Sequence, residues 1–219
     1  MVSPYFDVKC LPLTLQLSYP CFNIMFDTEK HPLAPFLPDE ARILMLGSFP
    51  PKEDKWSMRF FYPNWINDMW RIVGTIFHGD KHHFEVQGEK RFDRERIVDF
   101  CTRHGIALYD TACEVRRLKD NASDKFLEIV TPTDLTALLK QIPQCKAIVT
   151  TGQKATDIIV EKFGCKEPPI GSMERITLAD GRTLHFWRMP SSSRAYPLAL
   201  DKKAEYYRKM FEYELNSVY

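Results

Sequence analysis

Four short apolar runs, each stopping at a small or polar residue, govern what this chain can fold into. They are Ile43-Leu44-Met45-Leu46 before Gly47-Ser48, Ile106-Ala107-Leu108-Tyr109 before Asp110, Ala147-Ile148-Val149 before Thr150-Thr151-Gly152, and Leu184, Phe186 and Trp187 before Arg188-Met189-Pro190-Ser191. Short runs of this kind read as strands buried on both faces. Helix-periodic segments lie between them. Ile66, Met69, Trp70, Val73, Ile76 and Phe77 predict a helix opened by Pro63 and Asn64. Residues 93 to 103 predict a second helix ended by Gly105, Thr133 caps a third through Leu139, residues 153 to 163 form a fourth, and the last covers roughly 199 to 215. This alternation gives an α/β fold: a mostly parallel sheet of about four strands, with helices on both faces. A turn at Asp180-Gly181 adds a hairpin strand over 174 to 178. All four strand ends then share one edge, where open α/β sheets bind ligands.

The rest of the chain is less regular. Residues 1 to about 40 read as a proline-punctuated arm in which Leu13, Leu15 and Leu17 alternate as an edge strand. Residues 47 to 62, 79 to 91 and 111 to 130 read as loops, the last with local helical character. At 219 residues the chain is most simply one domain. Its formal charge of +1 excludes a strongly basic protein that coats nucleic acid, while leaving room for a local basic patch. The six cysteines, at 10, 21, 101, 113, 145 and 165, show no CxxC spacing, which argues against zinc or an iron–sulfur cluster and for a reduced, intracellular setting. Pro4, Pro12 and Pro20 interrupt any apolar leader, so no signal peptide is expected. No run reaches the roughly 18 apolar residues of a membrane helix. GxGxxG, GxxxxGK[ST] and GxSxG are absent, against dinucleotide, P-loop and common serine-hydrolase chemistry.

The strand ends carry the candidate site residues. Gly47 lets backbone approach a ligand, and Pro50-Pro51 stiffens the exit. Phe60, Phe61 and Tyr62 offer rings to a base, although core packing accounts for some of them. Asn64 caps a helix, and Asn67, one turn in, presents an amide that can read a base edge or hold water. Asp110 can orient a ligand or position water, or simply cap the next turn. Gly152 opens a helix whose N-terminus favours anions. Ser191, Ser192 and Ser193, flanked by Arg188 and Arg194, suit a phosphate, and Tyr196 or Arg194 suits a wedge in a base stack. His78, His82 and His83 lack a well-placed fourth ligand, so no metal is expected.

Taken in order, these residues resemble the uracil-DNA glycosylase superfamily, closest to its hypoxanthine- and mismatch-specific branch. Gly47-Ser48-Phe49-Pro50 is similar to that branch's Gly-Ser-Met-Pro, and Phe60-Phe61-x-Pro63 with Asn67-x-x-Trp70 to its aromatic pair and Asn-x-Phe-Trp. Gly105 to Asp110 resembles Gly-Ile-Ala-Leu-Trp-Asp, Ser123-Asp124 loosely resembles a Ser-x-Asp element, Gly152-x-Lys154-Ala155 resembles Asn-Gly-x-Lys-Ala, and Pro190 to Ser193 resembles Pro-Ser-Thr-Ser. The chain departs from the pattern at Pro51, at Thr151 before Gly152, at Met189 before Pro190, and at Arg194 and Tyr196. The resemblance implies a three-layer α/β/α fold and a monomeric, metal-free and cofactor-free enzyme of base excision repair. It would act on double-stranded DNA holding a damaged or mispaired base of the uracil or hypoxanthine type. It implies a base pocket from Gly47, Ser48, Phe49, Pro50, Phe61 and Gly152, water held by Asn67 or Asp110, and DNA held by Arg188, Pro190, the three serines, Arg194 and Tyr196. The alternative is a DNA-binding module of the same fold with weak or lost chemistry.

Overall fold

The computed structural model describes residues 27 to 118 and 126 to 215. The expected strand around Leu13 to Leu17, Cys10, Cys21 and the Ser123-Asp124 element lie outside them.

Among the described residues fourteen elements follow in order: β1 (Thr28–Lys30), β2 (Ile43–Gly47), a short 3-10 turn (Glu53–Lys55), α1 (Met69–His78), α2 (Arg94–His104), β3 (Ile106–Asp110), β4 (Ala112–Arg117), β5 (Leu127–Pro132), α3 (Leu135–Gln141), β6 (Ala147–Thr150), α4 (Gln153–Phe163), β7 (Ser172–Thr177), β8 (Thr183–Arg188) and α5 (Leu200–Leu215). The main sheet has the order β3-β2-β6-β8-β7. Its first four strands are parallel, and β7 closes one edge antiparallel through the hairpin with β8. Every residue of β3 and β6, and the first four of β2, are buried. Successive side chains point to opposite faces, so helices must cover both sides, and the architecture is three-layer α/β/α.

Parallel register aligns the strand ends: Gly47 pairs with Asp110, Leu46 with Thr150, and Thr150 with Arg188. The ladder runs slightly further, through Thr111 N–H to Gly47 O at 2.9 Å and Thr151 N–H to Leu46 O at 3.1 Å. The crossover α2 is set by local chemistry. Asp93 accepts from the Arg96 amide at its start, and Gly105 turns left-handed at its end with φ 63°. A Cβ at Gly105 would also lie 2.4 Å from the Glu40 carbonyl, so only glycine fits.

Four expectations give way. Residues 111 to 130 are not a loop with helical character: β4 and β5 occupy most of the described part and pair antiparallel with β1 in a second sheet, order β1-β4-β5. Their burial alternates incompletely, with Ala112, Val115 and Leu127 facing a small satellite core that Phe49 completes, so the period-2 signal is weak. The first helix starts at Met69 rather than at Pro63. Finally, Asp134 caps α3 by accepting from the Ala137 amide at 3.0 Å, while the Thr133 hydroxyl instead donates to the Asp110 carbonyl at 2.7 Å. The arm is also not wholly irregular, because Phe36 exchanges both backbone hydrogen bonds with Leu108 on the β3 edge.

Candidate functional site

A cavity of about 700 Å³ opens at the carboxyl edge of the parallel strands. Its lining brings together residues from every expected segment: Gly47 to Pro51, Phe61 to Asn64, Asn67, Asp110, Thr151, Ser191 to Ser193, and Tyr196. The size suits a small organic ligand, and mostly apolar walls with a few fixed polar groups are the usual composition of such sites.

The floor comes from β2 and β3. Asp110 is buried at the end of β3, and its Oδ2 accepts from His31 Nε2 at 2.9 Å. Its Oδ1 lies over Gly47, where a Cβ would come within 2.4 Å. A side chain at 47 would therefore push aside the carboxylate beside it. His31 belongs to the stretch after β1, and no sequence pattern marked it. Its ring is enclosed by Tyr109 at 4.7 Å, Phe49 at 5.2 Å and Phe61 at 6.3 Å. Phe49 in turn lies under the Arg117 guanidinium, 5.6 Å from its ring centre, and Arg117 is held by Glu29 and by the Pro50 carbonyl. The second sheet thereby props the Gly47–Pro51 loop.

One side of the cavity is the aromatic loop. Phe61 is almost fully buried, so its ring serves packing as much as lining. Tyr62 has φ 50°, a left-handed conformation that costs a bulky residue on the order of 1 kcal/mol or more. Its hydroxyl hydrogen-bonds Thr151 at 3.2 Å, which holds the strained turn against β6. Burial pushes the Tyr62 phenol well above its ordinary value, so it stays protonated. Asn64 does not cap a helix; its Oδ1 accepts from the Ile66 amide in a local turn. Asn67 precedes α1 by two residues, and its Oδ1 accepts from the Met69 amide at 2.9 Å. Ile66, 58% exposed, stands on the rim.

The opposite side is the serine loop. Asn67 pairs with Ser193 in an isolated antiparallel bridge, and the Asp68 amide donates to Ser192 O at 2.8 Å. Beneath that seam Asp68 bonds two cations: Arg194 Nε to Oδ1 at 2.8 Å and Lys203 Nζ to Oδ2 at 3.1 Å. Lys203, fully buried on α5, also donates to the Ser193 carbonyl at 2.8 Å. The Tyr207 hydroxyl donates to the Pro190 carbonyl at 2.8 Å. Ser191 Oγ and Ser193 Oγ each accept from a backbone amide two residues on, so each hydroxyl keeps its own proton for an outside acceptor.

Several expected residues are placed elsewhere. Arg188 turns away from the cavity to Glu167, Gln153 and the Pro168 carbonyl. Arg194 is committed to Asp68 and lines a second, 370 Å³ cleft behind the loop. Pro190 is buried and acts through its carbonyl. Gly152 begins α4, but Thr151 rather than Gly152 faces the cavity. The histidines near 80 do not converge: His78 stacks on His83 with ring centres 3.5 Å apart, and His82 bonds Glu85. No group of three or more metal-ligating side chains occurs among the described residues, and no helix among them is long and apolar enough to cross a membrane.

No protein-family model matches the sequence, and no curated protein matches it. Among solved structures, the chain is similar to an NMR structure from Methanosarcina acetivorans described as a "putative Uracil DNA glycosylase". The TM-score is 0.57 at 19% identity, over 85% of this chain and 99% of that one. The chain has a uracil-DNA-glycosylase-like fold. At this identity the likeness speaks for the fold alone, and the chemistry has to be argued from the cavity.

Proposed function

We propose that the chain is a DNA glycosylase that takes a damaged or deaminated base, of the uracil or hypoxanthine type, into this cavity and hydrolyses its N-glycosidic bond. The observation that carries the reading is the Asn67–Ser193 bridge, which joins the amide-bearing and serine-bearing loops around one cavity floored by Asp110. The likeness in fold supports it. Extruding a nucleotide costs a few kcal/mol, least for a mispaired or damaged base, and this favours lesions over normal pairs.

In this reading Phe49 stacks on the extruded base, and backbone amides around Ser48 with the Asn67 amide bind its edge. Ser191 and Ser193 donate to phosphates flanking it. Such contacts fix position without reading sequence. Tyr196 remains a candidate wedge, whereas Arg194 is occupied by Asp68; Ile66, apolar and exposed on the rim, takes its place. Because Asn67 Oδ1 is used by Met69, Asp110 becomes the first choice to hold water. The water oxygen bonds the sugar C1′, its proton passes to Asp110, and the C1′–N bond breaks with its electron pair leaving on the base. Donors aimed at that developing charge are typically worth ~3 kcal/mol each.

The test is incision. Duplexes holding uracil, hypoxanthine, xanthine or 3,N4-ethenocytosine opposite each normal base are incubated with the protein and treated with alkali. Strand breaks with at least one lesion, reduced in Asp110→Asn by about 100-fold or more, are the expected result. Salt-dependent DNA binding without breaks across the panel would leave a binding module instead.

A further inference from the structure

We infer that His31 is the positioning residue for Asp110: it fixes the carboxylate through Oδ2 so that Oδ1 meets the attacking water. This inference rests on the glycosylase reading above.

His31 Nε2 lies 2.9 Å from Asp110 Oδ2. Nδ1 lies 2.8 Å from the Leu33 carbonyl and 3.2 Å from the Leu33 amide nitrogen. Nδ1 is thus tied to the Leu33 backbone and Nε2 to Asp110, so both ring nitrogens are held and the ring cannot turn away from the carboxylate.

The surroundings keep it there. The His31 side chain is 2% exposed and is packed on Tyr109 of β3, Phe49 of the first loop and Phe61 of the second. The charged or titratable groups around it are Asp110 and Tyr109 and, beyond the Phe49 ring, Arg117 paired with Glu29. Asp110 is the one of the pair that lines the cavity. Among the described residues no side chain or backbone group bonds its Oδ1, which lies over the bare Cα of Gly47. One carboxylate oxygen is thus pinned and the other is left for a ligand. In the proposed step that oxygen takes the water proton as the water oxygen bonds C1′ and the base departs with the C1′–N electron pair. Without the His31 donor the carboxylate is free to rotate, and a misplacement of about 1 Å in a reacting group is worth roughly 100-fold in rate.

The experiment compares His31→Phe, which fills the space without a donor, with His31→Gln, whose amide nitrogen can donate in place of Nε2. Single-turnover incision at saturating protein, the Kd for lesion DNA and the thermal midpoint are measured for each. The expected result is a rate loss of about 100-fold in H31F with Kd within about twofold, and recovery of most of that loss in H31Q. Wild-type rate in H31F overturns the role. Equal loss in both variants, tracking a lowered thermal midpoint, overturns it in favour of a merely structural histidine. If H31F does not fold, His31→Asn, whose shorter amide falls short of Oδ2, is compared with H31Q by the same criteria. An inert wild type across the lesion panel overturns the glycosylase reading and this role together, whereas an active wild type with an unaffected H31F removes this role alone.

Discussion

Gly47 and Asp110 sit opposite one another at the ends of adjacent parallel strands, where a continuous backbone ladder carries them. Ser191 to Ser193, across the cavity, sit in no strand; the short bridge at Asn67, a turn bond from the Tyr196 amide and the Lys203 ammonium on the Ser193 carbonyl hold their backbone. Their position depends on Asp68, which draws Arg194 and the buried Lys203 together under the loop. The floor is held by a sheet and the wall by charge. A ladder distributes its load over many bonds, whereas a buried ion cluster fails when one member is removed, because the remaining charges are left unpaired away from water.

That contrast can be broken most directly at Asp68. Asp68→Ala should lower unfolding free energy by about 3–5 kcal/mol, since it strands the buried Lys203 ammonium. Urea unfolding measures this, and a loss below about 1 kcal/mol would mean the loop stands without its ions. Gly47→Ala should be milder for stability, about 1–3 kcal/mol from overpacking against Asp110. It should still abolish incision by displacing the carboxylate, so the assay and the melt part company; full activity in this variant would break the account of the floor. The smallest effect lies outside both regions. Burial, assisted by neighbouring cationic groups, holds His78, His83 and His104 below the usual 6.5. Below that pH the unfolded chain binds more protons than the folded one, so stability should decline as pH falls through about 6.5 and level off beneath the folded values. Denaturant midpoints between pH 7.5 and about 5 follow this, and replacing all three by Gln should flatten the curve. A slope that survives replacement would mean that other groups carry the acid sensitivity.

The same contrast explains what could be read in advance. Apolar runs ending in Gly47, Asp110 and Thr150 announce a parallel sheet because burial on both faces leaves an uninterrupted pattern. Asp93 and Gly105 mark the bounds of α2 because capping is local chemistry. By contrast, nothing near His31 in sequence points to Asp110, 79 residues on, and Asp68 and Lys203 stand 135 apart. Each looks like an ordinary polar residue until the fold closes. Arg188 shows the complementary limit: its place beside the serines is a fact of sequence, but alternation along β8 directs its side chain to Glu167. The β4–β5 hairpin escaped because its outward residues are charged and its inward ones few.

The cation beneath the serine loop is carried by α5, which follows every strand of the main sheet in the order of synthesis. A growing polypeptide can complete the sheet, the His31–Asp110 pair and the strained Tyr62 turn before residue 203 leaves the ribosome, yet the opening would still lack one rim. Products ending short of that lysine would leave Asp68 without its buried ammonium partner and the Ser193 carbonyl without its donor.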